Sequence, residues 1–389
     1  MGRLSGISGR GAIVNAADTQ TMSSRRYWWA SCALALAAAG LVVLATRSGP
    51  GIGADSTSYF SSAHNLASGS GYRDFTGEPL NTFPPGFSGL LALGELLGVS
   101  LATTTRAINA VASAAVVVLS AVLIQRHAQR PLARLTALAL VAFSIGLLHV
   151  ADKARSDALF VVFVVAFIVL LENALTHDGE HCVAWSAAAG ATAGLAFLVR
   201  YAALSLLLCA GVAFAISWLR SRPPQLVARV CAFTLAAVPL PALWLARNST
   251  SGAHDLLGPH VSEPASAGTL IKGVAVAVGS LFSPNSSERA AQAVFVLLIV
   301  VAGIGTWLVR RSNADVPSAV AGWTLVPLAT LLVAYPVFVL VTHRISGTSL
   351  DERVLARSAS RSSCWAPTGS TPSTVGARER GPILPGARS

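Results

Sequence analysis

Charge is what this sequence has least of. Asp, Glu, Lys and Arg make up 12% of its 389 residues against 53% apolar, whereas soluble domains run near a quarter charged. That scarcity excludes an ordinary water-soluble domain and points to a membrane protein. Lysine is almost missing: Lys153 and Lys272 are the only two, so the net charge of +11 is an arginine charge. The arginines stand singly or in pairs between apolar runs, as residues that end membrane spans do. They form no phosphate-tracking patch, and no nucleic-acid partner is implied. Paired cysteines are also lacking. Cys32, Cys182, Cys209, Cys231 and Cys364 are scattered, so neither a disulfide framework nor a zinc site follows. After Leu355 apolar clustering disappears. The Ser-, Arg-, Pro- and Gly-rich segment 356–389 cannot bury a core and reads as a disordered or frame-altered tail.

What is present is a series of long apolar runs. A helix crossing about 30 Å of hydrocarbon needs about twenty apolar residues. Runs near that length lie at 27–46, 107–125, 132–151, 158–172, 184–199, 201–219, 230–246, 289–309 and 317–342. The expected fold class is therefore an all-α, polytopic membrane bundle of about nine spans, carried by residues 27–355 behind a polar tail, 1–26. A tenth apolar stretch, 86–101, is short and carries Glu95, which favours a helix lying at the membrane surface. The first run is too long for a cleaved signal and reads as a retained span. Arg25 and Arg26, then Arg126, Arg130 and Arg134, then Arg220, Arg222 and Arg229, then Arg310 and Arg311 occupy every second gap. By the positive-inside rule the chain is a multi-pass protein of the cell membrane with a cytoplasmic N-terminus, and 47–106 is an extracytoplasmic loop.

That loop holds the polar segment 51–87, "GIGADSTSYFSSAHNLASGSGYRDFTGEPLNTFPPGF". Asp55 is placed to cap a short helix that closes at Gly69 and presents Tyr59 and Phe60 near the membrane surface. Pro84 and Pro85 lead into the next helix. Arg200 interrupts an apolar stretch of 183–219, where a charge is costly unless it serves a site or a boundary. Lys153 and Arg155, beside Asp157, are candidates with Arg200 for contact with an anionic group, but read first as solvated loop residues. His149, His254, His260 and His343 show no metal-ligand spacing. The sequons "NST" at 248–250 and "NSS" at 285–287 are discounted, because Ala, Gly and Arg richness suggests a bacterial chain.

A first span followed by Asp55 and Tyr59, then Ala63, Leu66, Ala67, Gly69, Gly71 and Tyr72, then Pro84-Pro85-Gly86, resembles the GT-C membrane glycosyltransferases that use polyprenyl-phosphate sugars. The kin are protein mannosyltransferases and aminoarabinose transferases. "ARSDALF", "GLAFLVRY", "WLARN" and "LDERVL" extend the likeness over residues 25 to 355. The resemblance implies Asp55 as the catalytic carboxylate and Asp157 as a second catalytic acid. It also implies Tyr59, Arg200, Tyr201, Arg247, Asp351 and Arg353 as substrate-binding residues, with no metal ligand assigned. Ser56 and Val354 stand where such proteins often carry a second acid and a tyrosine. The implied reaction moves mannose or a related sugar from a lipid-linked donor to a hydroxyl on a glycan, lipid or protein acceptor, with inversion, among membrane lipids. The chemistry agrees: the lipid phosphate leaves as an anion suited to guanidinium groups, and the acceptor hydroxyl needs one carboxylate as base. No cofactor is assigned, and a divalent cation stays open. The alternatives are a transporter or lipid flippase, which would place acids near the bilayer midplane, and a truncated, inactive homologue.

Overall fold

The computed structural model describes residues 8–251 except 129–130, 178–180 and 224, together with isolated positions between 268 and 297; residues 8–23 and Ser221 are described by backbone alone. These residues belong to the first of two units into which the chain divides, Met1–Ser349. The second, Leu350–Ser389, lies outside the described residues. The described part is helical and contains no strand, only the isolated bridges Gly51 to Lys153 and Arg73 to Pro79.

In chain order the helices are α1 (Ser8–Ala45), α2 (Ala54–Ala67), α3 (Gly86–Leu96), α4 (Leu101–His127), α5 (Pro131–Ala142), α6 (Ile145–Ala151), α7 (Asp157–Thr176), α8 (His181–Val199), α9 (Leu204–Ser221), α10 (Leu226–Ala237) and α11 (Pro239–Thr250). Seven stretches among them are long and apolar enough to cross a membrane: Ser24–Ala45, Leu101–His127, Pro131–Ala151, Asp157–Thr176, His181–Val199, Tyr201–Arg220 and Leu226–Thr250. They coincide with the first seven runs read from hydropathy. The runs at 289–309 and 317–342 fall almost wholly outside the described residues, as do Asp351, Arg353 and the tail.

Two spans are broken for local reasons. Between α5 and α6 the hydroxyl of Ser144 accepts from the Leu147 amide and starts a new helix. Between α10 and α11 Pro239 and Pro241 remove amide donors and crowd the preceding turn. At 11 residues, or about 16 Å, α3 is too short to cross. It buries Phe87, Ser88, Leu91 and Ala92 against α2 and leaves Leu90, Leu93 and Leu97 exposed. An apolar outer face on a short helix fits the membrane-surface position expected for it. Ser62 to Ser88 at 2.8 Å and His64 to Glu95 at 2.7 Å fasten α2 to α3.

The main core lies among α7, α8, α9 and α10, where Phe233 meets Phe167 and Phe214 edge to face. Helix α8 can approach α10 because it is lined with small residues: a Cβ on Gly190 would stand 2.2 Å from the Phe233 carbonyl oxygen. At the end of α7 remote from Asp157, buried Glu172 lies 3.5 Å from Arg126 and 3.4 Å from His127, the last residues of α4. Arg229 of α10 is buried beside it. It donates to the carbonyls of Ala174 at 3.0 Å and His177 at 3.2 Å, which the end of α7 leaves without helical partners. Fifteen residues, about 22 Å of helix, separate this clasp from Asp157.

Replacing Arg229 by Ala strips both carbonyls of a charged donor. It should lower unfolding free energy in detergent by about 2 kcal/mol or more. An unchanged unfolding midpoint would show that the clasp does not bind α7 to α10.

Candidate active site

The five residues joining α6 to α7 are held from two sides. The amide of Gly51, just beyond α1, donates to the Asp152 carbonyl at 2.8 Å, and the Ala154 amide donates back to Gly51 at 2.9 Å. Asn109 of α4, fully buried, donates to the carbonyls of Ala151 at 2.9 Å and Lys153 at 2.8 Å. A segment that hydropathy alone would leave as a loop is thereby fixed. What it fixes is the tripeptide Arg155-Ser156-Asp157.

Each flanking member of that tripeptide enters an ion pair with a distant segment. Arg155 Nη2 donates to Asp55 Oδ2 at 3.0 Å, across 100 residues of sequence. Asp157 Oδ1 accepts a short hydrogen bond from Arg200 Nη1. The middle residue, Ser156, is fully buried, and its hydroxyl meets Tyr59 Oη at 2.9 Å and Arg200 Nη1 at 3.4 Å. Two carboxylates and two guanidinium groups therefore share one partly exposed site, with side-chain exposures of 16% for Asp55, 27% for Arg155, 28% for Asp157 and 18% for Arg200. Burial pushes the Tyr59 phenol above its ordinary value, so the hydroxyl keeps its proton at neutral pH.

Three local expectations are corrected here. Asp55 is not the cap of α2: Gly53 holds that position, Ser56 Oγ accepts its amide, and Asp55 sits in the first turn with its carboxylate turned to Arg155. Tyr59 is not presented to the membrane surface but is buried against Phe83 and Phe87. Arg155 is no solvated loop residue, since it pairs with Asp55. Lys153 turns back to His149, 3.0 Å away, within the same strap.

Arg200 sits in extended backbone between α8 and the 3-10 turn Tyr201–Ala203, the conformation that aims its side chain at α7. The end of α8 is set by α3. A Cβ on Gly86 would stand 2.6 Å from the Leu198 carbonyl oxygen, so only glycine permits this approach two residues before Arg200.

Tyr201 and Arg247, expected beside substrate, belong to a second cluster. Tyr201 Oη donates to the Asn81 carbonyl at 2.6 Å and accepts from Trp244 Nε1 at 2.9 Å. Arg247 donates to Asn81 Oδ1 at 2.6 Å, to Asn248 Oδ1 at 3.1 Å, and to the carbonyls of Tyr72 at 3.0 Å and Leu80 at 3.2 Å; its guanidinium lies 4.9 Å from the Trp244 ring centroid. These contacts fasten the 72–81 segment to the ends of α8 and α11. Tyr72 in turn donates to the Phe83 and Pro84 carbonyls, and its buried phenol is pushed up by desolvation.

Sequence reasoning missed Ser156, Asn109 and Asn81. Asn109 was legible as a lone amide in a long apolar helix, a costly residue unless hydrogen-bonded. Ser156 and Asn81 carry no such signal. Among the described residues no three His, Cys, Asp or Glu side chains converge as a metal site would require.

Residues 83–242, less than half of the chain, match the family described as dolichyl-phosphate-mannose-protein mannosyltransferase. Two crystal structures of ArnT from Cupriavidus metallidurans resemble the fold. The one bound to undecaprenyl phosphate is 17% identical, with 84% of this chain covering 62% of that one at a TM-score of 0.50. The apo one is 15% identical, with 76% covering 56% at 0.48. The chain thus spans less than two thirds of the length of either. No curated protein matches it. The described helical bundle shares the fold of the undecaprenyl-phosphate-bound structure, a fold of the GT-C type.

Gly86→Ala should cost about 1–3 kcal/mol of stability through overpacking against α8. Gly89→Ala, one turn on and facing open space, should instead gain roughly 0.5–1 kcal/mol from helix propensity. Equal unfolding midpoints for the two variants would contradict the α3–α8 contact as the constraint behind Arg200.

Proposed function

We propose that this chain is a membrane glycosyltransferase that moves a sugar, mannose or a related one, from a polyprenyl-phosphate donor to an acceptor hydroxyl, with inversion at the anomeric carbon. The observation that carries the reading is the meeting of Asp55, Arg155, Asp157 and Arg200 at one end of an apolar bundle. Charges are expensive there unless paired and useful. Arg155 and Arg200 offer forked, permanently charged donors for the departing phosphate, which needs no strong acid to leave. Asp55 takes the acceptor proton as the oxygen attacks. Asp157 holds Arg200 in place, and Tyr59 forms part of the wall. In this reading Tyr201 and Arg247 act at one remove, by fixing the 72–81 segment.

The arginine distribution supports an extracytoplasmic site. Arg25, Arg26, Arg126, Arg134, Arg220, Arg222 and Arg229 end or begin spans at the bundle end remote from Asp55, which the positive-inside rule assigns to the cytoplasm. A carrier is less well supported. Asp157 and Glu172 are the only acids within the seven described spans, and both lie in terminal turns of α7 with cationic partners rather than near the midplane.

The test is transfer from a labelled polyprenyl-phosphate sugar by purified protein. Wild type should label an acceptor fraction, and Asp55→Asn should reduce turnover by about 10²-fold or more with membrane insertion intact. Transfer by Asp55→Asn at the wild-type rate would remove Asp55 as the base, and no transfer by wild type would refute the reading.

A further inference from the structure

Among the described helices three have a serine at the N-cap, and one of the three behaves differently. Ser100 and Ser144, the N-caps of α4 and α6, accept the amides of Thr103 at 3.2 Å and Leu147 at 3.3 Å, as residues at this position commonly do. Ser156 is the N-cap of α7, yet its side chain makes no capping bond and its backbone is helical rather than extended. Its hydroxyl is spent on Tyr59 Oη and Arg200 Nη1 instead. A cap bond available to the chain has been given up for two contacts in the site.

From this we infer that Ser156 is the positioning residue that holds the two carboxylate–guanidinium pairs in register, its buried hydroxyl pinning the Arg155-Ser156-Asp157 strap to α2 through Tyr59 and to Arg200. The inference rests on the function proposed above. Arg155 and Asp157 flank Ser156 on the backbone, and each reaches an opposite partner. A rotation of the strap about its own axis would therefore lengthen both pairs together. The mainchain bonds to Gly51 and Asn109 hold the strap at its start. Ser156 is the described side chain that holds it at the other end while meeting groups from two further elements. The Tyr59 bond matters most, because Tyr59 is almost wholly buried between Phe83 and Phe87 and cannot follow a strap that moves. Ser156 touches no atom expected to react, so it positions and does not catalyse.

A double-mutant cycle with kinetics tests this. Ser156→Ala and Tyr59→Phe should each lower kcat/KM for a polyprenyl-phosphate sugar by about tenfold. The double variant should be no worse than Ser156→Ala alone, because Tyr59→Phe removes a bond that Ser156→Ala has already removed. Ser156→Ala should in addition raise donor KM more than Tyr59→Phe does, since it alone also removes a contact to Arg200. Ser100→Ala is the control for mere helix capping: it should lower the unfolding midpoint and leave kcat and KM unchanged. Additive losses in the double variant, or wild-type kinetics for Ser156→Ala, overturn the inference while wild-type transfer upholds the function. If Ser156→Ala does not insert, Tyr59→Phe reads the same bond alone, and wild-type kinetics for it overturn the inference. No transfer by the wild-type chain overturns both.

Discussion

The site depends on one constraint: charge at the mouth of an apolar bundle must be met by opposite charge. Hydrocarbon and packed side chains give a lone carboxylate or guanidinium little solvation, so each must find a partner or a hydrogen-bonding frame. Asp55 and Arg155, and Asp157 and Arg200, satisfy that condition pairwise. The pairs are drawn from the first polar segment, the strap before α7 and the junction after α8. Satisfying them brings together three parts of the chain that hydropathy treats as separate boundaries. The same rule acts at the far end of α7, where Glu172 meets Arg126 and His127 and Arg229 closes the exposed carbonyls. The two ends differ in use. At the far end Glu172 and Arg229 are sunk in the packing, with Arg126 and His127 partly open around them, whereas at the near end all four charges stay partly open.

The frame around the site is built from small residues and amides rather than from large hydrophobes. Gly86 lets α3 touch the end of α8, Gly190 lets α8 touch α10, and Asn109 ties a buried helix to the strap. In a bilayer, burial of apolar surface gives little preference for helix contact over lipid contact, so close approach and hydrogen bonding carry more of the specificity. The Tyr201, Trp244, Arg247 and Asn81 network has the same character: it spends polar groups on orienting the segment that leads through Pro84 and Pro85 into α3.

Much of the fold was legible because span length and arginine position are local properties. The seven described spans, the short apolar helix at 86–96 and the polar first segment follow from hydropathy and turn residues. Part of the site was legible too. Arg200 stands out as a charge that interrupts apolar chain, Asp55 and Asp157 were implied by the family resemblance, and all three meet at the strap before α7. Pairing was not legible. Nothing local tells Arg155 that it will meet Asp55 across 100 residues, so it looked like a solvated loop residue. Nor does any local signal separate Arg200, which faces the carboxylates, from Tyr201, which faces Asn81 from the next position. Ser156 reads as an ordinary helix cap, and only its missing cap bond reveals that its hydroxyl is committed elsewhere.

In the function proposed above, Arg155 and Arg200 receive the phosphate of a lipid-linked donor beside Asp55. An experimental structure of the full chain with a polyprenyl phosphate bound tests it most directly. Phosphate oxygens should lie within hydrogen-bond distance of both guanidinium groups, with the sugar-bearing side of the phosphate toward Asp55. A phosphate seated instead among Arg126, His127 and Arg229 at the far end of α7, with both ion pairs of the site undisturbed, would contradict it.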